Sequence, residues 1–200
     1  LKRLLIAALL IWGAWSWWTQ RAVDHGPGVV AVEPPQQTAI EGAPSFELQG
    51  YTLTPLARFD LRARVLSRED YRLGREAELS TTDFMLGWGR MSDESVLADI
   101  EISQSNRFAY WRVREFPIPQ REIETSASNM HLIAADSSVA RQIADVRRGQ
   151  VVHMRGYLVR AEAADGWRWV SSLSRDDRGA GACELFFVEQ LSDEVSPSSR

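Results

Sequence analysis

The sequence predicts a mainly β domain with a few short helices, an α+β arrangement that fits a small OB-like β-barrel or, as the alternative, an open α+β sheet. Three observations point there. Residues 59–65 alternate apolar and polar, the pattern of a strand with one face in a core. A single well-formed amphipathic helix, from Asp136 to just before Gly149, is followed by apolar runs punctuated with glycine that continue to Leu191. No segment repeats another, which disfavours propellers and solenoids.

Taken in order, Phe59, Leu61, Ala63 and Val65 share one strand face, with Asp60, Arg62 and Arg64 on the other. Ser80, Thr81, Thr82 and Asp83 are helix N-cap residues ahead of Phe84, Met85 and Leu86, so a short helix is expected there, cut off by Gly87 and Gly89. A second short helix is expected over 93–99. Ile100 and Ile102, then residues 108–113, read as two strands joined near Ser105-Asn106. Pro117 and Pro119 break the chain. In the helix after Asp136, Val139, Ile143 and Val146 recur at i, i+4 and i+7, with Arg147 and Arg148 expected in its last turn. Strands over 150–161 and 167–173 meet at Asp165-Gly166, and Gly156 stands where a bulge or barrel corner needs it. A last strand covers 184–191.

Before that domain comes a different composition. Residues 4–20 carry no charge and include the run LLIAALLIWGAWSWW. As a helix they span about 26 Å, slightly under a hydrocarbon core. Lys2 and Arg3 precede the run, and Trp15, Trp17 and Trp18 crowd its far end. Positive flank and aromatic belt together predict a single-pass inner-membrane protein with its N-terminus in the cytoplasm and its domain in the periplasm. A cleaved signal peptide fits the charged start, but no small-x-small site follows it. The organisation expected is a transmembrane signal-anchor over 1–21, a proline- and glycine-rich tether over 22–45, one β-rich domain over 46–193 and a disordered tail over 194–200. The tether, with Pro27, Pro34, Pro35 and Pro44, reads as a solvated spacer.

Charge and cysteine content narrow the function. Beyond Asp24 the chain has 20 basic and 26 acidic side chains, a formal charge of −6. An acidic domain is a poor general binder of polyanions, so nucleic acid is not expected as a partner. With one cysteine, Cys183, neither an intrachain disulfide nor an all-cysteine zinc site can form within one chain. No cofactor and no metal is expected.

Four stretches are chemically denser than the rest. In DFMLGWGRMSD, Trp88 lies between glycines beside Arg90, placed either to fill a core gap or to offer its ring to a ligand. In SASNMHLIAAD, Asn129 and His131 are expected in a loop, where the histidine could serve as acid, base or brace. The stretch SSLSRDDRGAGACELFFVEQL joins Arg175, Asp176 and Asp177 to a small-residue loop that ends at Cys183 and Glu184, a pattern suited to holding an anion on backbone N–H groups. In VHMRGYLVR, His153, Arg155 and Tyr157 share strand parity and would line one sheet face.

The pieces YTLTPLARF, GWGRMSD, SNMHLIAAD, GYLVRAE and GACELFFVEQL resemble a family of uncharacterised proteobacterial membrane-anchored envelope proteins over about Tyr51 to Leu191. The resemblance implies a folded envelope domain and carries over no catalytic residue. The function expected is therefore a membrane-tethered extracytoplasmic binding or assembly module for an envelope ligand or protein partner, with no enzymatic role. Its contact residues would be Trp88, Arg90, Asn129, His131, Arg175, Asp176, Asp177, Cys183 and Glu184. The alternative is a hydrolase or nuclease-like enzyme working through His131 and the 176–184 loop.

Overall fold

The structure, a computed structural model, describes residues 21–174 and 183–194. The expected anchor, the 175–182 loop and the tail beyond 194 lie outside them. Among the described residues no helix is long and apolar enough to cross a membrane. The domain is mainly β with a few short helices, as expected.

The strands are β1 (Gln36–Ala39), β2 (Phe46–Leu48), β3 (Tyr51–Asp70), β4 (Thr82–Gly87), β5 (Ile100–Ser105), β6 (Phe108–Val113), β7 (Ala127–Ala134), β8 (Val151–Glu162), β9 (Arg168–Val170) and β10 (Glu184–Glu194). Helices α1 (Glu76–Leu79), α2 (Glu94–Leu97), α3 (Gln120–Thr125) and α4 (Ser137–Asp145) lie between them. β3 organises the sheet. Its first part pairs antiparallel with β8 as far as Arg64 opposite Val151, and from Arg64 onward it pairs with β4, bending at an irregularity between Val65 and Ser67. β4 pairs antiparallel with β7, β7 runs parallel to β10, and β10 pairs antiparallel with β8. The pairings that start at β3 thus return to β3.

One apolar cluster fills the space these strands share. Phe59, Leu61, Ala63 and Val65, the face read from the sequence, meet Phe84, Leu86, Met130, Leu132, Met154 and Phe186 there. Phe59 and Phe186 make an edge-to-face contact at 5.1 Å, the geometry that the ring quadrupole favours. Helix α4 adds Val139 and Ile143, and its C-cap residue Val146, to the same cluster, each buried side chain contributing roughly 1.5–3 kcal/mol. Asp136 caps its start, accepting from the backbone N–H of Ser138 and Val139. Its end is held from β3, where Arg68 Nη1 donates to the carbonyls of Ile143, Ala144 and Val146 at 2.7–2.9 Å. Arg147 and Arg148 fall just past this helix, not in its last turn.

Gly156 is required on steric grounds. β10 carries an extra residue between Val188 and Gln190, and a Cβ on Gly156 would collide with the Phe187 carbonyl. A second cluster around Leu53, Val159, Leu185 and Phe187 covers one outer face of the sheet. A third seats the β5–β6 hairpin through Leu66, Met85, Met91 and Ile100.

Two expectations need correction. Residues 82–87 form a strand and not a helix, because β3 and β7 flank this segment and satisfy its backbone on both sides, a saving no local cap matches. Residues 22–45 are not a free spacer. Val23 N–H donates to the Arg148 carbonyl at 2.8 Å, His25 Nε2 bonds the Gly149 carbonyl, Gly28 donates to Asp93, Ala31 is fully buried against Ser92, and β1 pairs with β3. Gly149, at φ +87°, allows this: a Cβ there would strike the Val23 backbone.

Candidate functional site

Asp83 is the second residue of β4, fully buried and directly opposite His131 on β7. Phe84, Met130 and Leu132 point into the core, so strand alternation turns Asp83, Asn129 and His131 onto the opposite face. Next to β7 on that face is Leu185 of β10, cross-strand partner of His131. Cys183, partly exposed just ahead of β10, reaches the same place, its Sγ 3.7 Å from Asn129 Nδ2.

The β5–β6 turn forms the roof. Asn106 and Arg107 sit at φ +52° and +70°, a left-handed pair that suits a tight hairpin and is costly for arginine. The neighbours that hold it there are specific. Arg107 donates from Nη1 to Asp83 Oδ1 at 2.7 Å and from Nη2 to the Ser80 carbonyl at 2.8 Å. Its guanidinium lies 3.7 Å over the Tyr71 ring, and its backbone N–H donates to the Tyr71 hydroxyl. Its carbonyl accepts from Asn129 Nδ2 at 2.9 Å. Trp169, on β9, lays its ring 4.8 Å from the imidazole of His131.

His131 is the electrostatic centre. Burial works against its charge, but the close Asp83 carboxylate, and Cys183 after it, outweigh burial and hold the imidazole pKa up at about 9. At neutral pH the cluster thus carries two cations, Arg107 and His131, against the Asp83 carboxylate. Its hydrogen bonding is also incomplete. His131 Nδ1 and Asp83 Oδ2 are 2.9 Å apart yet off the line of an aligned bond, and neither has another partner. Gln104 Oε1 has none either, although Gln104 Nε2 donates to Asn129 Oδ1. Among the described residues, the buried side-chain atoms without an aligned hydrogen bond are these three. Gln104 Oε1, with no partner of either kind, costs about 1–3 kcal/mol.

The other residues singled out from the sequence lie elsewhere. Trp88 is 3% exposed and packed in the core, so it fills space and offers no ring to a ligand. Arg90 is exposed and spends both its Nε and Nη2 on Glu122, bracing α3. Asn129 and His131 are on a strand, not in a loop, because the alternation of residues 129–134 places them between β4 and β10. Glu184 is buried on the face opposite His131, its carboxylate accepting from Ser128. His153 and Arg155 share Asp60 on the sheet surface. Arg175, Asp176 and Asp177 lie outside the described residues.

Sequence reading missed Arg107, Gln104 and Trp169, and noticed Ser80 only as a helix cap and Asp83 only as a helix cap or the end of a motif. Asp83 did carry a signal: a carboxylate followed by Phe84-Met85-Leu86 in a strand needs a buried partner. Two surface grooves, about 760 Å³ beside Glu101, Arg112 and Phe116 and about 490 Å³ beside Phe46, Tyr157 and Phe187, hold no buried charged group. Comparison with protein-family models, with curated proteins and with solved structures finds no match to this chain.

Proposed function

We propose that the chain is a membrane-tethered, extracytoplasmic binding or assembly module built on an OB-type barrel, with a ligand or partner taken at the face of β4 and β7. The observation that carries this reading is the gathering of three charged groups, Asp83, Arg107 and His131, on that one face beside partly exposed Cys183, with Gln104 Oε1 left unsatisfied at its edge. A domain selected for stability alone has no reason to draw three charged groups out of water in one place.

The barrel assignment draws on the ring of pairings β3–β4–β7–β10–β8–β3, on the parallel β7–β10 pair and on α4 lying between the third and fourth strands of that ring. In OB-type barrels the exterior of the second and third strands, with the loops joining the first to second and fourth to fifth, takes the ligand. Here those strands are β4 and β7. The first of those loops supplies Tyr71 and Ser80, and the second supplies Trp169 and ends at Cys183. The excess of cations favours a ligand or partner surface bearing an anionic group.

The membrane placement draws on the uncharged run over 4–20 and on the likeness to proteobacterial envelope proteins. Because Val23 is fixed to Arg148, an anchor ending near residue 20 would hold the domain against the bilayer and not at a distance. The test is crosslinked purification of the full chain from native membranes, wild type beside Arg107→Gln. One component recovered near one-to-one from the wild type and lost from the folded variant supports the reading. Equal recovery from both, or recovery of the protein alone, overturns it.

A further inference from the structure

We propose that the β5–β6 ribbon is a lid on the β4–β7 face, latched at its tip by Arg107 and opening about its root while the rest of the domain stays folded. The inference rests on that face being a ligand site and adds how access to it is controlled. The ribbon belongs to the 88–126 segment that joins β4 to β7, and it lies back over the strands that the segment connects. Ile102, Ala109, Trp111 and Val113 of the ribbon and Ala127 of β7 pack against the apolar cluster that contains Met85 of β4. Met85 and Ala127 share strand parity with Asp83, Asn129 and His131, so the ribbon covers the face on which those polar groups stand.

Three features let this cover lift as a unit. Among the described strands, β5 and β6 pair with each other and with no strand of the larger sheet, so lifting the ribbon breaks no ladder bond of the ring. Its apolar seating is shallow. Ile100, at the root, is buried, whereas the inward residues Ile102, Ala109, Trp111 and Val113 are all partly exposed, although Asp83, Met85, Asn129 and His131 beneath them are buried. Few buried apolar contacts and solvent-reached backbone mark a segment that opens below global unfolding. The hydrogen bonds that hold the ribbon down gather at its tip. Arg107 reaches Asp83, the Ser80 carbonyl and the Tyr71 hydroxyl, its own carbonyl accepts from Asn129, and Gln104 Nε2 donates to Asn129 Oδ1. These bonds share two residues of one turn and are released together. The left-handed backbone of Asn106 and Arg107 is strained while the latch is closed, and opening relieves it. Lifting the tip uncovers Asp83, Met85, Asn129 and His131 and leaves the ring of strands intact.

The test is hydrogen exchange on the full chain across a urea series below the unfolding transition. Amides over 101–113 should exchange as one block, at least about tenfold faster than those of β3 and β8, and with a weaker urea dependence because a lifted lid exposes little surface. Arg107→Gln should speed the whole block, root included, by about a further tenfold relative to β3 and β8. Tyr71→Phe, which removes the hydroxyl that accepts the Arg107 N–H and keeps the ring beneath the guanidinium, should act in the same direction and decides the matter if Arg107→Gln does not fold. In a Met85→Cys, Cys183→Ser chain, N-ethylmaleimide should label the buried position at a rate that follows the exchange of the block. Acceleration confined to residues 105–108 is fraying, and a block with the rate and urea dependence of β8 opens only with the whole domain. Either result overturns the lid, as does a thiol at position 85 that labels only on global unfolding. A block that opens only globally, beside partner recovery lost in Arg107→Gln, removes the lid and leaves the binding reading standing. A block that opens alone in a chain that recovers no partner removes the binding reading and with it the lid's role.

Discussion

His131 and Asp83 face each other across β7 and β4 with Nδ1 and Oδ2 2.9 Å apart, their side chains 4% and 0% exposed. Two charged groups so removed from water interact strongly, and the pair is misaligned. Much of the behaviour expected of this protein follows from that relationship.

Stability should fall as pH rises through the alkaline range. The imidazole pKa is raised from 6.5 to about 9 on folding. A raised pKa contributes stability that is fully present below 6.5, declines above it, and is lost once pH passes about 9. Urea unfolding at pH 6, 8 and 9.5 should show a progressive loss on the order of a few kcal/mol at most. Asp83→Asn should flatten the trend.

Asp83→Asn should also destabilise at neutral pH. It leaves Arg107 and His131 inside the domain without a counter-charge, a situation that typically costs about 3–5 kcal/mol. Thermal melting should show a large drop in Tm with native secondary structure retained at low temperature.

Gly149→Ala should release the N-terminal segment from the domain. The residue lies at φ +87°, and the added methyl would overlap the Val23 backbone. Hydrogen exchange at residues 22–31 should accelerate and proteolysis should reach that segment, while protection in β7 and β8 stays unchanged.

Arg68→Ala should loosen the end of α4. One nitrogen serves three carbonyls at that terminus and places positive charge where the helix dipole favours it, so its removal should cost about 1–3 kcal/mol. Amide exchange in the last turn should rise more than exchange at Phe186.

Much of the frame was legible because its signals are local. The periodicity of Val139, Ile143 and Val146, the cap at Asp136, the turn at Asn106 and the small residue at Gly156 each name their own structure. β4 was not legible, since Ser80 to Asp83 have the local chemistry of a cap while the ladders that override it come from β3 and β7. The tether misled for the same reason. Proline and glycine describe a spacer, but Ala31 and Gly28 find Ser92 and Asp93 more than sixty residues away. In the site, Asn129, His131 and Cys183 were picked out by their chemistry. Arg107 was not, because an arginine in a turn looks solvated until the fold carries it 24 residues back to Asp83.

The most direct test of the central claim, that the Asp83–Arg107–His131 cluster exists for binding and not for stability, is the urea-unfolding free energy of the triple variant Asp83→Val, Arg107→Met, His131→Leu. A buried charge cluster replaced as a whole by apolar residues is often neutral or stabilising by about 1–4 kcal/mol. The account predicts a variant as stable as the wild type or more so. A loss of several kcal/mol would make the cluster a structural brace and contradict it.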